Sequence, residues 1–152
     1  ARGSGGAKDT VRNVLASKEF VVNLVDETIA ERMHGCAVDS PPELSEFDLV
    51  GFTPAPSQRV KPPRIAESPV SFECRLHTRL DFNTRDVCIG EILWMHVRDG
   101  IIDPSNHRRI PNAYHPVGRL YANRYCRTRD EFQLDNSAYA AKAASKSAVR
   151  EF

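Results

Sequence analysis

Two long, largely apolar stretches near the middle of the chain decide its fold: VSFECRLHTRLDF (residues 70–82) and VCIGEILWMHVRDGII (residues 87–102). Both are rich in the β-branched and aromatic residues that strands favour. The polar residues between them suit a turn, so the two stretches are predicted to pair as an antiparallel hairpin. Side chains alternate between the faces of a strand, and both faces of residues 87–97 are largely apolar. We therefore expect a barrel interior to cover one face, and a helix or a second subunit to cover the other.

Shorter elements are predicted on both sides of this hairpin. Apolar residues recur at helical spacing over residues 10–17, which predicts a helix with Asp9 as its cap. Prolines exclude a regular central strand from most of residues 35–68. The other predicted elements are a strand over residues 19–25, a helix capped by Asp26, a helical turn near residues 43–47, a strand at residues 117–120, and a surface helix or frayed tail at residues 137–150.

Composition bounds the class of protein. The 152 residues are 41% hydrophobic and 27% charged, which is typical of one globular domain, placed here at residues 1–136 and followed by an Ala-, Ser- and Lys-rich tail at residues 137–152. The net charge is +1, and no apolar run approaches the roughly 20 residues that span a bilayer. Neither nucleic acid nor a membrane is therefore expected as a partner. The four cysteines form no CxxC pair and are expected to be buried free thiols of a cytoplasmic protein.

A possible anion site lies in SGGAKDT (residues 4–10), which leads directly into the first predicted helix. Glycines let backbone N–H groups approach an anion, and a helix N-terminus adds free donors and a positive dipole. Lys8 supplies a charge, and the Ser4 and Thr10 hydroxyls supply hydrogen bonds. The spacing is not that of a P-loop. The alternative interpretation is a flexible lead-in to an ordinary capped helix.

The histidines and cysteines do not predict a metal site. His34 and Cys36 are two residues apart, and His77 and His96 lie on the two strands of the predicted hairpin. Zinc-type ligand spacing is absent, so strand-face histidines and core thiols are expected and no metal is. No cysteine or serine has the sequence context of a catalytic nucleophile, and no catalytic side chain is assigned.

A second candidate region, residues 116–129, interleaves four arginines with two tyrosines. Such a stretch can bind phosphates or stack on a planar ring. It can equally form a solvated basic surface or a subunit interface, in which Tyr and Arg are enriched. The residues alone leave these three interpretations open.

Several segments together, in order and spacing, resemble the flavin reductase-like, FMN-binding split-barrel family across about residues 4–134. The segments are the helix and strand of residues 8–24, VKPPRI at residues 60–65, residues 68–74, and VGRL at residues 117–120 with Tyr125. The resemblance implies a β-rich α+β fold, a split β-barrel with short helices. It also implies a homodimer with FMN bound non-covalently near the dimer interface. Many members of that family pass hydride from NADH or NADPH to the flavin.

The resemblance also implies which residues hold the cofactor. Its phosphate-binding loop corresponds to the possible anion site, where Asp9 would act through its backbone N–H or as the helix cap, because its carboxylate would repel a phosphate. The implied cofactor-binding residues are Arg2, Ser4, Lys8, Asp9, Thr10, Arg119 and Tyr125.

Two departures from the family pattern leave two functional hypotheses. The strands expected before the phosphate loop are missing from this sequence, and Leu120-Tyr121-Ala122 stands where many members have Leu-Gly-Gly. The first hypothesis is an FMN-dependent oxidoreductase, a flavin reductase that uses NADH or NADPH. The second is a non-catalytic flavin-binding or dimerisation module, or a truncated scaffold.

Overall fold

The computed structural model describes residues 8–41, 43–83 and 85–148. Within them the chain forms four helices and seven strands. In chain order these are α1 (Asp9–Ser17), β1 (Glu19–Asn23), α2 (Ala30–Gly35), α3 (Glu46–Val50), β2 (Pro54–Ala55), β3 (Arg64–Ile65), β4 (Val70–Asp81), β5 (Asp86–Val97), β6 (Val117–Tyr121), β7 (Arg124–Arg127) and α4 (Ser137–Ala148).

The central sheet has the strand order β1-β4-β5, and both of its pairings are antiparallel. The predicted hairpin is therefore confirmed as β4–β5, with Val70 opposite Val97 at its open end. The Phe20 ring lies over Gly90, where an added Cβ would overlap the outer edge of the ring. Glycine suits this position because a Cβ would force the ring to move.

The predicted alternation along β5 ends at a bulge. Glu73 lies opposite Trp94 and Cys74 lies opposite Ile92, so Leu93 has no opposite residue. Because a bulge inserts one residue, side chains beyond it exchange faces. The prediction that Ile92 and Trp94 lie on the same face of β5 is therefore wrong. These two side chains are 58% and 42% exposed in the single chain, and their coverage by a second subunit stays a prediction.

The helix starts differ from those predicted. The N-cap of α1 is Lys8, and Asp9 is its first helical residue, with a carboxylate that pairs with Arg12 rather than capping the helix. Asp26 does not cap α2 either, because its carboxylate closes the preceding turn by accepting from the Thr28 backbone N–H (3.0 Å). The helical turn expected near residues 43–47 lies three residues later, as α3, because Ser45 provides a side-chain cap there.

The other predicted elements are of the expected type, but several begin or end at different residues. The strand expected at residues 19–25 ends at Asn23. Among the described residues of 35–68, the strands are the two-residue β2 and β3. The strand expected at residues 117–120 is confirmed as β6, but its partner β7 was not predicted. The tail is helical through Ala148. All four cysteines are free, although only Cys74 is buried.

A buried carboxylate fixes the proline-rich loop, defined here as residues 56–63, to the central sheet. Glu73 of β4 is 0% exposed. Its two oxygens accept from the backbone N–H groups of Gln58 (2.7 Å), Arg59 (2.6 Å) and Val60 (3.2 Å), and from His96 Nε2 (2.5 Å). These hydrogen bonds compensate the carboxylate for its lost hydration.

Residues that are both buried and apolar are few in the described part of the chain: Val14, Ile29, Phe52, Val60, Pro69, Val70, Cys74 and Ile101. No helix in that part is long and apolar enough to cross a bilayer.

Candidate cofactor and ligand sites

The start of α1 presents a set of donors suited to an anion. Lys8, Asp9 and Thr10 are all exposed there. The N–H groups of a first helical turn have no acceptor within the helix, and the N-cap makes no side-chain hydrogen bond to any of them. Arg12 partly neutralises the Asp9 carboxylate, which would otherwise oppose an anion. Among the described residues, neither the Lys8 ammonium nor the Thr10 hydroxyl has a side-chain partner.

This donor set suits a phosphate group, such as the one that the family resemblance places here. An ammonium, a hydroxyl and free backbone N–H groups are the donors that phosphate sites at helix N-termini use. Arg2 and Ser4, the other two residues predicted for this loop, lie outside the described residues.

Arg119 and Tyr125, the remaining predicted cofactor residues, lie together on the β6–β7 hairpin. The Arg119 guanidinium is 6.0 Å from the centre of the Tyr125 ring. Arg119 also donates from Nε and Nη2 to the Ala122 carbonyl in the turn (3.1 and 2.9 Å). The hairpin therefore holds this arginine against its own tyrosine, a contact that the interpretations of residues 116–129 did not include.

Tyr125 also contacts helix α2, a link that sequence analysis missed. His34 Nδ1 lies 3.2 Å from the Tyr125 hydroxyl, and the two rings meet edge to face with centroids 5.8 Å apart. His34 was considered only as a metal ligand beside Cys36. No local signal could have found this pair, because its members are 91 residues apart.

A cavity of about 470 Å³ opens between α2 and the β6–β7 hairpin. The His34–Tyr125 pair forms part of its wall. Its lining residues are Glu27, Ala30, Glu31, His34, Val117, Asn123, Tyr125, Cys126 and Arg127.

Two arginines neutralise one of the two carboxylates in this wall. Arg129 Nε and Nη2 donate to the Glu27 carboxylate (2.8 and 3.0 Å), and Arg127 Nε lies 3.4 Å from it. The hydrogen bond from Arg129 is the largest influence on the pKa of Glu27 and keeps it below its ordinary value. Glu31, the other carboxylate, is exposed and makes no ion pair within the described residues. Negative charge is thus least balanced at the Glu31 side of the cavity.

The described residues contain no group of three or more His, Cys, Asp or Glu side chains placed to hold a metal ion. The two histidines considered on the hairpin have different surroundings. His96 donates to the buried Glu73, whereas His77 lies at an irregularity of β4.

Comparisons with known proteins agree with this architecture. An uncharacterised protein of Aquifex aeolicus is 42% identical over 84% of this chain. The structure of a 2-nitrobenzoate 2-nitroreductase of Pseudomonas fluorescens matches with 41% identity and a TM-score of 0.77, over 84% of this chain. Nitrilotriacetate monooxygenase component B of Bacillus cereus matches with 28% identity and a TM-score of 0.80, over 88% of this chain. The chain spans 64%, 64% and 68% of the lengths of these three proteins, respectively.

The family model described as a flavin reductase like domain matches residues 4–129, which is most of the chain. The expected β-rich split-barrel fold is confirmed by this match and by the structural similarities. The chain belongs to the flavin reductase-like family of split-barrel proteins.

Proposed function

We propose that this chain binds FMN and serves a flavin-dependent oxidoreductase reaction in which NADH or NADPH supplies the hydride. The observation that carries the proposal is the donor set at the start of α1, in a chain of the flavin reductase-like family. When bound, a flavin would accept the hydride and pass on the electrons. The proposal therefore assigns no acid or base side chain of the protein to the reaction.

In this proposal the side chains of Lys8 and Thr10 and the N–H groups of the first turn hold the flavin phosphate. Arg12 holds the Asp9 carboxylate by an ion pair, which limits its repulsion of the phosphate. Arg2 and Ser4 are proposed as further contacts. Arg119 and Tyr125 are placed outside the phosphate site, because they are engaged with each other and, through Tyr125, with His34.

The hydride donor is a further part of the proposal. The relative that is 41% identical to this chain is a nitroreductase, which supports a reductive reaction as the general type. A nicotinamide nucleotide is the proposed source of the electrons, and a flavin is their first acceptor.

A homodimer is proposed as the working form. The exposed apolar side chains of β5 favour it: Val87, Ile89, Ile92, Trp94 and Met95 are between 42% and 58% exposed. These side chains lie on both faces of the strand, and exposed apolar side chains leave surface that a second copy of the chain could cover. Dimerisation without flavin chemistry is the second candidate function, and the same side chains support it.

Binding of FMN and of riboflavin to wild type and Lys8→Ala tests the phosphate site. Loss of a charge-assisted contact is expected to weaken FMN by about 1.5–3 kcal/mol, roughly ten- to a hundredfold. Riboflavin lacks the phosphate and should bind both proteins with similar, weak affinity. Lys142→Ala removes a lysine from α4 instead and should leave FMN affinity unchanged.

Three results would contradict the proposal. Equal losses of FMN and riboflavin affinity in Lys8→Ala would show that the substitution disturbs the fold rather than a phosphate contact. Unchanged FMN affinity would place the phosphate elsewhere. If the wild type binds FMN but neither NADH nor NADPH bleaches the flavin absorbance, the reductase function is wrong and a non-catalytic module remains.

A further inference from the structure

We propose that one face of the β4–β5 hairpin, beyond the end of β1, is a docking surface for a second copy of this chain. The docking surface consists of Leu80, Val87 and Ile89, with Arg75 and Glu91 at its base. Because it names the interface of the homodimer proposed above, the inference rests on that proposal.

The outer half of the β4–β5 hairpin extends past its sheet. β1 pairs with residues 71–75 of β4, whereas β4 and β5 continue together as far as Asp81 and Asp86. Within the described part of the chain, residues 78–81 and 86–89 therefore form a two-stranded ribbon. A ribbon of two strands is marginally stable in water when nothing packs against it. A second surface that covers its apolar face would stabilise it.

The two faces of this ribbon differ in chemistry. Leu80 lies opposite Val87, and Ile89 lies two residues farther along β5, so these three side chains share one face. They are 44%, 45% and 44% exposed, respectively. The other face carries Arg79, whose Nε donates to the Asp86 carboxylate (2.6 Å). The charged face is thus engaged within the chain, whereas the apolar face remains exposed.

Opposite charges lie at the base of the apolar face. Arg75 is opposite Glu91 in the hairpin. Glu91 shares the face of Val87 and Ile89, because the three residues are spaced by two and β5 carries no extra residue between them. Arg75 and Glu91 are each 62% exposed, and Arg75 Nη1 lies 3.8 Å from the Glu91 carboxylate. So exposed a pair contributes little within one chain, and both charges keep capacity for a partner across an interface.

A two-fold axis makes this surface complementary to itself. Two copies that face each other across an axis parallel to the ribbon place β4 of one copy over β5 of the other. Residues that are opposite in one hairpin then also meet between the copies. Leu80 packs against Val87 of the partner subunit, and Arg75 meets Glu91 of the partner subunit. Facing sheets pack about 10 Å apart, a gap that arginine and glutamate side chains span together.

The small size of this surface predicts a weak dimer. A standard interface has about 20–30 residues on each side, several times the number on this face. We therefore expect a dissociation constant in the micromolar range. The dimer should weaken as salt is added, because exposed charges contribute to it.

Analytical ultracentrifugation of the wild type and two lysine variants tests which face is used. Ile89→Lys places a charge in the docking surface and should weaken the dimer by about tenfold or more, because that charge would be buried against apolar side chains. Ile92→Lys is the matched control, since Ile92 lies on the opposite face of the same strand and is 58% exposed. It should leave the dissociation constant within about twofold of the wild-type value.

Charge reversal tests the pairing between copies. Arg75→Glu gives the base of the docking surface two negative charges, and Glu91→Arg gives it two positive charges. Each variant alone should form a dimer about tenfold weaker than the wild type at low salt, because like charges would face each other. An equal mixture of the two variants should contain heterodimers in excess of the random proportion of about half, as counted by native mass spectrometry. Arg124→Glu reverses an exposed charge on the β6–β7 hairpin instead and should leave the dimer unchanged.

The docking surface is wrong if the wild type dimerises but Ile92→Lys weakens the dimer as much as Ile89→Lys. It is also wrong if the charge variants form homodimers as stable as the wild type, or if they mix at random. A wild type that stays monomeric at about 100 µM would overturn the proposed homodimer together with this surface. Flavin binding at the start of α1 is measured separately, so its loss in Lys8→Ala bears on none of these results.

Discussion

Replacing Glu73 by Gln is expected to release the proline-rich loop from the central sheet. Each carboxylate oxygen accepts two hydrogen bonds, one oxygen from Gln58 N–H and His96 Nε2, the other from Arg59 and Val60 N–H. An amide nitrogen at either position would direct its own hydrogens at these donors. At best, His96 reverses its role and accepts from the amide, which still leaves the Gln58 N–H without an acceptor.

The cost follows from these contacts. Hydrogen bonds to a charged acceptor contribute about 1.5–3 kcal/mol each, and breaking a buried charged network typically costs about 3–5 kcal/mol. With His96 adapting, Glu73→Gln should lower the free energy of unfolding by about 3 kcal/mol. That is a large fraction of the roughly 5–15 kcal/mol that stabilises a domain.

Urea unfolding followed by tryptophan fluorescence measures this loss. Trp94 is the single tryptophan of the chain, and the Arg59 guanidinium of the loop lies 5.2 Å from its ring centre. Release of the loop should therefore change the emission of the folded variant, even before it unfolds. A cost below about 1 kcal/mol, with unchanged emission, would refute the reasoning.

The contribution of Glu73 to stability depends on pH. Burial raises the pKa of Glu73, but the hydrogen bonds from His96, Gln58 and Arg59 outweigh burial and hold it below the ordinary value of 4.5. A depressed pKa contributes stability that is present above the unfolded value and is lost as the pH falls through the folded value. The difference in stability between wild type and Glu73→Gln should accordingly shrink as the pH falls below about 4.5. A difference that persists unchanged at pH 3 would show that Glu73 does not act as a carboxylate.

Two further outcomes are expected. Gly90→Ala places a methyl group against the Phe20 ring and should destabilise the sheet by about 1–3 kcal/mol in thermal or urea unfolding. A neutral result would mean that the Phe20 ring moves aside without cost. Burial raises the pKa of the Cys74 thiol, so a thiol reagent should modify Cys74 more slowly than Cys126 in the native protein. The two rates should become equal after denaturation. Equal rates in the native protein would contradict the burial of Cys74.

The sequence was most informative where local chemistry determines structure. The β4–β5 hairpin follows from residue types within two neighbouring stretches, and the donor set at Lys8 and Thr10 follows from the glycines and helix beside it. The exact start of α1 was less predictable. Asp9 is a good capping residue by type, but in the structure its carboxylate pairs with Arg12 one turn later.

Features that depend on distant contacts could not be predicted in this way. Glu73 is a lone charge in an apolar strand pattern, and only the folded chain brings the N–H groups of residues 58–60 to it. The pairing of His34 with Tyr125 has the same origin. Strand β7 has the sequence RYCR at residues 124–127, which contains too few apolar residues to predict a strand. It forms a strand because it pairs with β6.

The bulge at Leu93 also bears on how this chain avoids aggregation. Within the described residues β5 is the last strand of its sheet, so its outer backbone groups could template another strand. A bulge twists and interrupts such an edge, and the charged Glu91 lies two residues before it. An incoming strand would thus meet a broken hydrogen-bonding ladder at the point where Ile92 and Trp94 are exposed. We expect these apolar side chains to favour packing by a shaped surface over open-ended strand addition.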